Sequence, residues 1–162
     1  MQAERREQAG SSSPPTMMWV ENIAIVVWHT APTASVVDRL WEQAAEVRAK
    51  YPGGMSFVHV GGTEAVRMDS AARESFLRIL KEFRSSMAAT AIVARAEGFL
   101  ASTVRSVVTG ILVLSRVSHE IRFHESALEV LEWLPEKHRT TTGVAVDLDR
   151  LRSALLQAEQ LC

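Results

Sequence analysis

Short apolar runs alternate with longer amphipathic stretches along most of this chain. The runs are rich in β-branched residues, which is typical of strands covered on both faces, and they lie at residues 23–28, 56–60, 91–94 and 121–124. The stretches have apolar residues three and four positions apart, which predicts helices, and they lie at residues 34–50, 70–84 and 99–114. This alternation predicts a small α/β domain: a mostly parallel sheet of about four to five strands, with helices packed on it.

The N-terminal part of the chain predicts a tail and then a hairpin. Residues 1–17 combine charged residues with a segment rich in serine and proline, and we expect a disordered tail there. Residues 18–20 should pair with the first strand across a turn at Glu21 and Asn22, which gives a hairpin at the sheet edge. The α/β domain is accordingly expected to span residues 18–135.

The C-terminal part, residues 136–162, is expected to hold a linker and one further helix. Just before it, Ser126 and Glu129 match a capping box, which opens the last helix of the domain. The linker is expected at the polar residues 137–143. An amphipathic helix should follow at about residues 147–161, and its apolar side needs a surface, either on its own domain or on a second copy in a homodimer.

The composition suits one domain of ordinary size. The chain has 162 residues, of which 47% are hydrophobic, enough for a substantial core. Its 18 basic and 19 acidic residues include no basic block that could neutralise a row of phosphates, so nucleic-acid binding is not expected. Cys162 is the one cysteine, and the sequence has neither a secretory signal nor an apolar run of about 20 residues. We therefore expect a cytoplasmic protein that does not bind membranes.

The main candidate site lies where the strand at residues 56–60 leads into the next helix. Asp69 and Ser70 stand at the start of that helix, and a helix N-terminus stabilises negative charge, including phosphate. Ser70 is therefore a candidate phosphorylation site. The alternative is that Asp69 or Ser70 only caps the helix, as such residues do at most helix starts.

The order of elements and the Met68-Asp69-Ser70 motif together resemble the STAS domain, found in bacterial anti-sigma-factor antagonists and in the cytoplasmic part of sulfate transporters. In the antagonists, a strand leads to a Met-Asp-Ser-Ser-Gly or Asp-Ser-Thr-Gly motif, and the serine after the aspartate is phosphorylated. The resemblance covers about residues 18–134 and carries that role over to Ser70. The next two positions, both alanine, stand in place of the family's second hydroxyl residue and glycine.

The resemblance implies a non-catalytic regulatory module that docks another protein, such as a kinase-like anti-sigma factor or another regulator, with no cofactor. Asp69, Ser70 and Arg73 are the expected contact residues, and a phosphate at Ser70 would add about two negative charges and repel the partner. Downstream, residues 98–107 and 126–134 resemble the wider STAS-like group of bacteria. In that group the serine is often missing, and the role is usually unassigned.

The sequence shows no catalytic or metal-binding pattern, and we do not expect an enzyme. The histidines lie in separate segments without a His-x-x-x-His pair, at His29, His59, His119, His124 and His138. His29 and His124 each follow a strand, where an acid or base could lie, although a surface hydrogen bond is the more usual role. Gly61-Gly62-Thr63 lacks the pattern of a phosphate loop and fits a turn at a strand end.

The helix at residues 99–114 suggests a second function. Its apolar stripe is broad, Gly110 permits close approach, and Arg105 and Arg116 could flank an opening, so the helix could line a pocket for a lipid-like or other apolar ligand. The alternative is a helix that packs on the sheet as part of the core. The tryptophans are expected to pack in the core or at its rim, and they are Trp19, Trp28, Trp41 and Trp133.

Overall fold

One sheet of five strands organises the computed structural model of the chain, which describes residues 13–62, 67–94 and 98–162. The strands are β1 (Thr16–Val20), β2 (Ile23–Trp28), β3 (Met55–Gly61), β4 (Met87–Ala94) and β5 (Glu120–His124). The helices are α1 (Ala34–Lys50), α2 (Ser70–Glu82), α3 (Gly98–Ser115), α4 (Ala127–Val130), α5 (Leu134–Thr142) and α6 (Leu148–Leu161).

The strands follow one another across the sheet in the order β1-β2-β3-β4-β5. β1 is antiparallel to β2, and the remaining neighbours are parallel, with α1, α2 and α3 as the crossover helices. The predicted α/β class and the mostly parallel sheet are thus confirmed. The hairpin is confirmed as well, since Val20 pairs with Ile23 across the predicted turn, where Glu21 has a φ of 49°. Because β2 to β5 run parallel to one another, their carboxyl ends lie at the same end of the sheet.

Alternate side chains of β2 enter two separate cores. Ile25 packs in the core that α4, α5 and α6 cover, where Leu151 and Leu155 of α6 are fully buried. Val26 packs in the core beneath α1 and α2, where Trp41 is 8% exposed. The side of α6 that carries Leu151 and Leu155 therefore rests on its own domain.

The domain begins at Thr16, two residues before the predicted start at residue 18. β1 begins at Thr16, inside the segment for which a tail is expected, because residues 16–20 pair with β2 along their whole length. Residues 1–12 of the expected tail lie outside the described residues. Among the described helices, none has the length and apolar character that crossing a membrane requires.

The helix expected after Ser126 is interrupted. Ser126 Oγ accepts a hydrogen bond from the Glu129 backbone N–H at 3.4 Å, as a capping residue should, yet α4 already ends at Val130. A separate helix, α5, begins at Leu134 with Pro135 in its first turn. Because proline has no N–H and its ring clashes with the carbonyl four residues earlier, one continuous helix cannot pass through this position.

Residues 137–142 lie in α5, where a linker is expected, and a buried hydrogen-bonded network holds that helix to the sheet. His138 Nδ1 lies 2.8 Å from Ser56 Oγ, and its Nε2 lies 2.9 Å from Asn22 Oδ1. Asn22 Nδ2 in turn donates to the Gly54 carbonyl at 2.6 Å. Because an amide oxygen can only accept, His138 carries its proton on Nε2, and Nδ1 accepts from the serine hydroxyl. Burial lowers the pKa of His138 to about 4, which keeps this ring neutral.

Candidate functional site

A cavity of about 120 Å³ lies between the sheet and helices α2 and α3. Its walls are mostly apolar side chains from both layers, among them Phe76, Leu80, Ile92, Val104, Ile111 and Ile121. No charged side chain lines it within the described part of the chain. An enclosed apolar cavity of about 150 Å³ binds benzene, so the volume here suits a molecule of about one six-membered ring.

Small residues at the carboxyl ends of β3 and β4 line part of the cavity. Gly61 ends β3 and pairs with Ala94 at the end of β4, and both residues line the cavity. Val104 and Ile111, seven residues apart on α3, line the cavity from the helix side. Gly61 fits the expected strand end, and Thr63 of the same motif lies outside the described residues.

His59 brings a polar group to the cavity wall. Trp28 Nε1 donates a hydrogen bond to His59 Nδ1 at 3.2 Å, and the two ring planes are nearly parallel, at 17°. Because indole nitrogen is only a donor, Nδ1 must be the unprotonated nitrogen, and the neutral ring carries its proton on Nε2. Burial lowers the pKa of His59 to about 4, so this tautomer persists at pH 7.

Thr90 is a second polar residue in the cavity wall. Its hydroxyl lies 2.9 Å from Nε2 of His119, which precedes β5. Burial lowers the pKa of His119 to about 4, so this ring is neutral too. The histidine at the cavity wall and the histidine bonded to Thr90 are therefore both neutral.

The Asp69-Ser70 step lies beside the cavity, since Met68 lines it. The structure decides between the two capping alternatives: Asp69 is the N-cap of α2, and its carboxylate accepts a hydrogen bond from the Ala72 N–H at 2.7 Å. Ser70 is the first residue of α2, as predicted, and its side chain is exposed. Asp69, Ser70 and Arg73 are all exposed in or just before the first turn of α2.

The two histidines considered as acid or base do not come together. His29 Nε2 lies 2.9 Å from the Thr16 hydroxyl of β1. His124 contacts Trp133, with ring centroids 5.9 Å apart, and its Nδ1 lies 3.8 Å from a Glu129 carboxylate oxygen. Burial is the main cause that lowers the pKa of His124. Neither histidine is among the described residues of the cavity wall.

The features of α3 that suggested a pocket are only partly used. Arg105 and Arg116 are exposed, and neither belongs to the described cavity wall; Arg105 lies over the Phe123 ring at 5.9 Å. Gly110 is exposed, and a Cβ there would meet nothing within 4 Å, so the expected close approach does not occur. The side chain of Leu100, part of the predicted stripe, lies outside the described residues. Other residues of the predicted stripe do line the cavity, namely Val104, Val108 and Ile111, whereas Leu114 is 64% exposed.

Sequence reasoning missed His59 and Trp28 as a polar pair. The sequence did contain a signal for His59. It lies two positions after Phe57 in the same strand, so both side chains are on the core-facing side. Trp28 ends the neighbouring strand, where it pairs with Gly61 and is a diagonal neighbour of His59.

Among the described residues, no group of three or more histidine, cysteine, aspartate or glutamate side chains could hold a metal ion. No family model matches the chain, and no curated protein and no solved structure matches it. The cavity, its apolar walls and its neutral histidine are therefore the features from which a function can be argued.

Proposed function

We propose that the protein is a non-catalytic binding module that holds a small, uncharged, largely apolar molecule in the cavity beneath α3. The observation that supports this most directly is the cavity of about 120 Å³ itself, with its apolar walls. A ligand in this position removes apolar surface from water, both its own and that of the protein. A charged ligand would lose its hydration there without gaining an opposite charge from the described wall.

An apolar cavity of this size between a sheet and its helices is unusual, which favours a binding role over ordinary core packing. Protein interiors are normally packed with few voids larger than a water molecule. A ligand that fills the space recovers dispersion contacts that the lining side chains otherwise lack.

A substitution that fills the cavity should abolish binding. Val104 is 4% exposed and lines the cavity, so Val104→Phe places a ring where the ligand would lie. In the unchanged protein, cyclohexanone or methylenecyclohexane at about ten times its Kd should stabilise the fold by about 1.4 kcal/mol and raise Tm by about 4 °C. In Val104→Phe this shift should disappear, which differential scanning fluorimetry measures.

Val113→Phe provides the matched control on the same helix, because Val113 is 70% exposed. It should respond to both compounds as the unchanged protein does. An equal Tm shift in Val104→Phe, or no shift with either compound in the unchanged protein, would contradict the proposed cavity.

A second candidate function is supported by the position of Ser70. Its side chain is exposed at the start of α2, Asp69 already provides the cap, and Met68 links this segment to the cavity. We infer that Ser70 is phosphorylated and that the phosphate controls docking of a protein partner in the cytoplasm, as the resemblance to anti-sigma-factor antagonists suggests. A phosphate beside the Asp69 carboxylate would concentrate negative charge on the contact surface and oppose docking.

This switch predicts a difference between two variants at one position. Ser70→Ala should capture the same partner as the unchanged protein from a lysate of the native cells, whereas Ser70→Asp should capture at least tenfold less. Quantitative mass spectrometry of the captured proteins measures the ratio. Ser85→Asp adds the same charge at an exposed position beyond the other end of α2 and should leave capture intact. Equal capture by Ser70→Asp and Ser70→Ala would refute the switch.

A further inference from the structure

We propose that His59 Nε2 donates a hydrogen bond to the ligand in the cavity, so that the preferred ligand is a compact, uncharged molecule with one acceptor, such as a carbonyl oxygen. This inference rests on the proposed binding function and specifies the chemical class of its ligand.

The hydrogen bond to Trp28 decides which nitrogen of His59 is free for a ligand. Trp28 Nε1 donates to Nδ1 at 3.2 Å, so Nδ1 is occupied as an acceptor. Nε2 carries the ring proton and is the nitrogen that this bond leaves for another partner. Because indole never accepts at this atom, the pair fixes one tautomer, and His59 offers a ligand a donor rather than an acceptor.

The surroundings of His59 favour an acceptor that bears no charge. Burial holds the pKa of the ring at about 4, so the imidazole does not provide a cation to pair with a carboxylate or phosphate at neutral pH. The described cavity wall is otherwise apolar apart from Thr90, whose hydroxyl already lies 2.9 Å from His119 Nε2. A carbonyl or ether oxygen on an apolar frame matches one donor in such a wall.

The volume limits the size of that frame. At about 120 Å³ the cavity is somewhat smaller than the roughly 150 Å³ site that accepts a benzene ring, so a ligand of about six to eight non-hydrogen atoms fits. Cyclohexanone and methylenecyclohexane are a matched pair within this limit. They share ring and shape and differ in one group, a carbonyl oxygen against a methylene carbon.

The test compares how the two compounds bind the unchanged protein and His59→Phe, by isothermal titration calorimetry. The two compounds differ in their hydration, but that difference cancels when the ratio of their affinities is compared between proteins. The ratio of cyclohexanone to methylenecyclohexane affinity should fall about tenfold in His59→Phe, which keeps an aromatic ring but has no N–H. His59→Gln, which keeps an N–H donor, should retain more of the preference than His59→Phe.

A measurement without any substitution accompanies this one. In ¹⁵N-histidine spectra of the unchanged protein, cyclohexanone should move the His59 Nε2–H resonance downfield, and methylenecyclohexane should not. An unchanged affinity ratio in His59→Phe, or an Nε2–H resonance that does not shift when cyclohexanone is added, would overturn the inference. Neither result would contradict the proposed binding function. Failure of both compounds to bind the unchanged protein would instead overturn the proposed function.

Discussion

Replacing His138 with phenylalanine should lower the free energy of unfolding by about 4 kcal/mol, because it leaves two buried polar groups without a hydrogen-bond partner. In the native protein His138 bonds to the Ser56 hydroxyl and to Asn22 Oδ1, and all three side chains are fully buried. Phenylalanine fits the space approximately but offers neither a donor nor an acceptor. Each unpaired group then costs its full desolvation penalty, about 1 to 3 kcal/mol. Urea denaturation followed by circular dichroism measures the loss.

Two further variants make this prediction specific. His29→Phe removes a half-buried ring with one hydrogen bond, to Thr16, and should cost less than about 1 kcal/mol. Adding Ser56→Ala to His138→Phe should destabilise the fold little more than His138→Phe alone. His138→Phe leaves the Ser56 hydroxyl without a partner, and Ser56→Ala removes that hydroxyl. If the two changes destabilise additively, the network described here does not hold α5 to the sheet.

Acidification from pH 7 to pH 4 should destabilise the fold by several kcal/mol through three neutral histidines. Burial lowers the pKa of His59, His119 and His138 to about 4 in the folded state, against 6.5 in the unfolded state. Between these values the unfolded chain binds protons that the folded chain does not, so stability falls as the pH falls. The full difference for His59 or His138 is about 3 kcal/mol each, at 1.36 kcal/mol per pKa unit. At or above pH 7 these histidines are neutral in both the folded and the unfolded state, so the fold keeps its full stability there.

Urea midpoints measured between pH 7 and pH 5 isolate the histidines, including His124, whose pKa burial also lowers. Glu120 and Glu136, whose pKa values are lowered mainly by hydrogen bonds from Arg122 and Arg139 respectively, titrate below that range. The slope of stability against pH should correspond to an uptake of two to three protons on unfolding at its steepest. In His138→Phe the uptake should be smaller by one proton. A flat profile over this range would show that the histidines are not buried as described.

The elements that depend on local pattern could be predicted closely from the sequence. β2 and α1 have the predicted bounds, residues 23–28 and 34–50, because runs of β-branched residues and helical spacing are properties of neighbouring residues. α2 begins at Ser70 as predicted, since a carboxylate at Asp69 is there to cap it.

The features that depend on distant residues could not be predicted. The polar segment at residues 137–142 is helical because His138 finds partners in Asn22 and Ser56, which are 116 and 82 residues away in sequence. His59 likewise gains its role from Trp28, 31 residues away. The sequence did suggest a pocket beneath the helix at residues 99–114, where the cavity lies, but no residue pattern encodes the size of that space.

Methyl NMR of the unchanged protein during a titration with cyclohexanone locates the binding site. Methyl resonances of Met68, Val104 and Ile111, which line the cavity, should shift together with a single Kd. Methyls of Leu151 and Leu155, buried on the opposite face of the sheet, should stay unchanged. Cavity methyls that do not respond, or equal shifts on both faces, would contradict a binding site beneath α3.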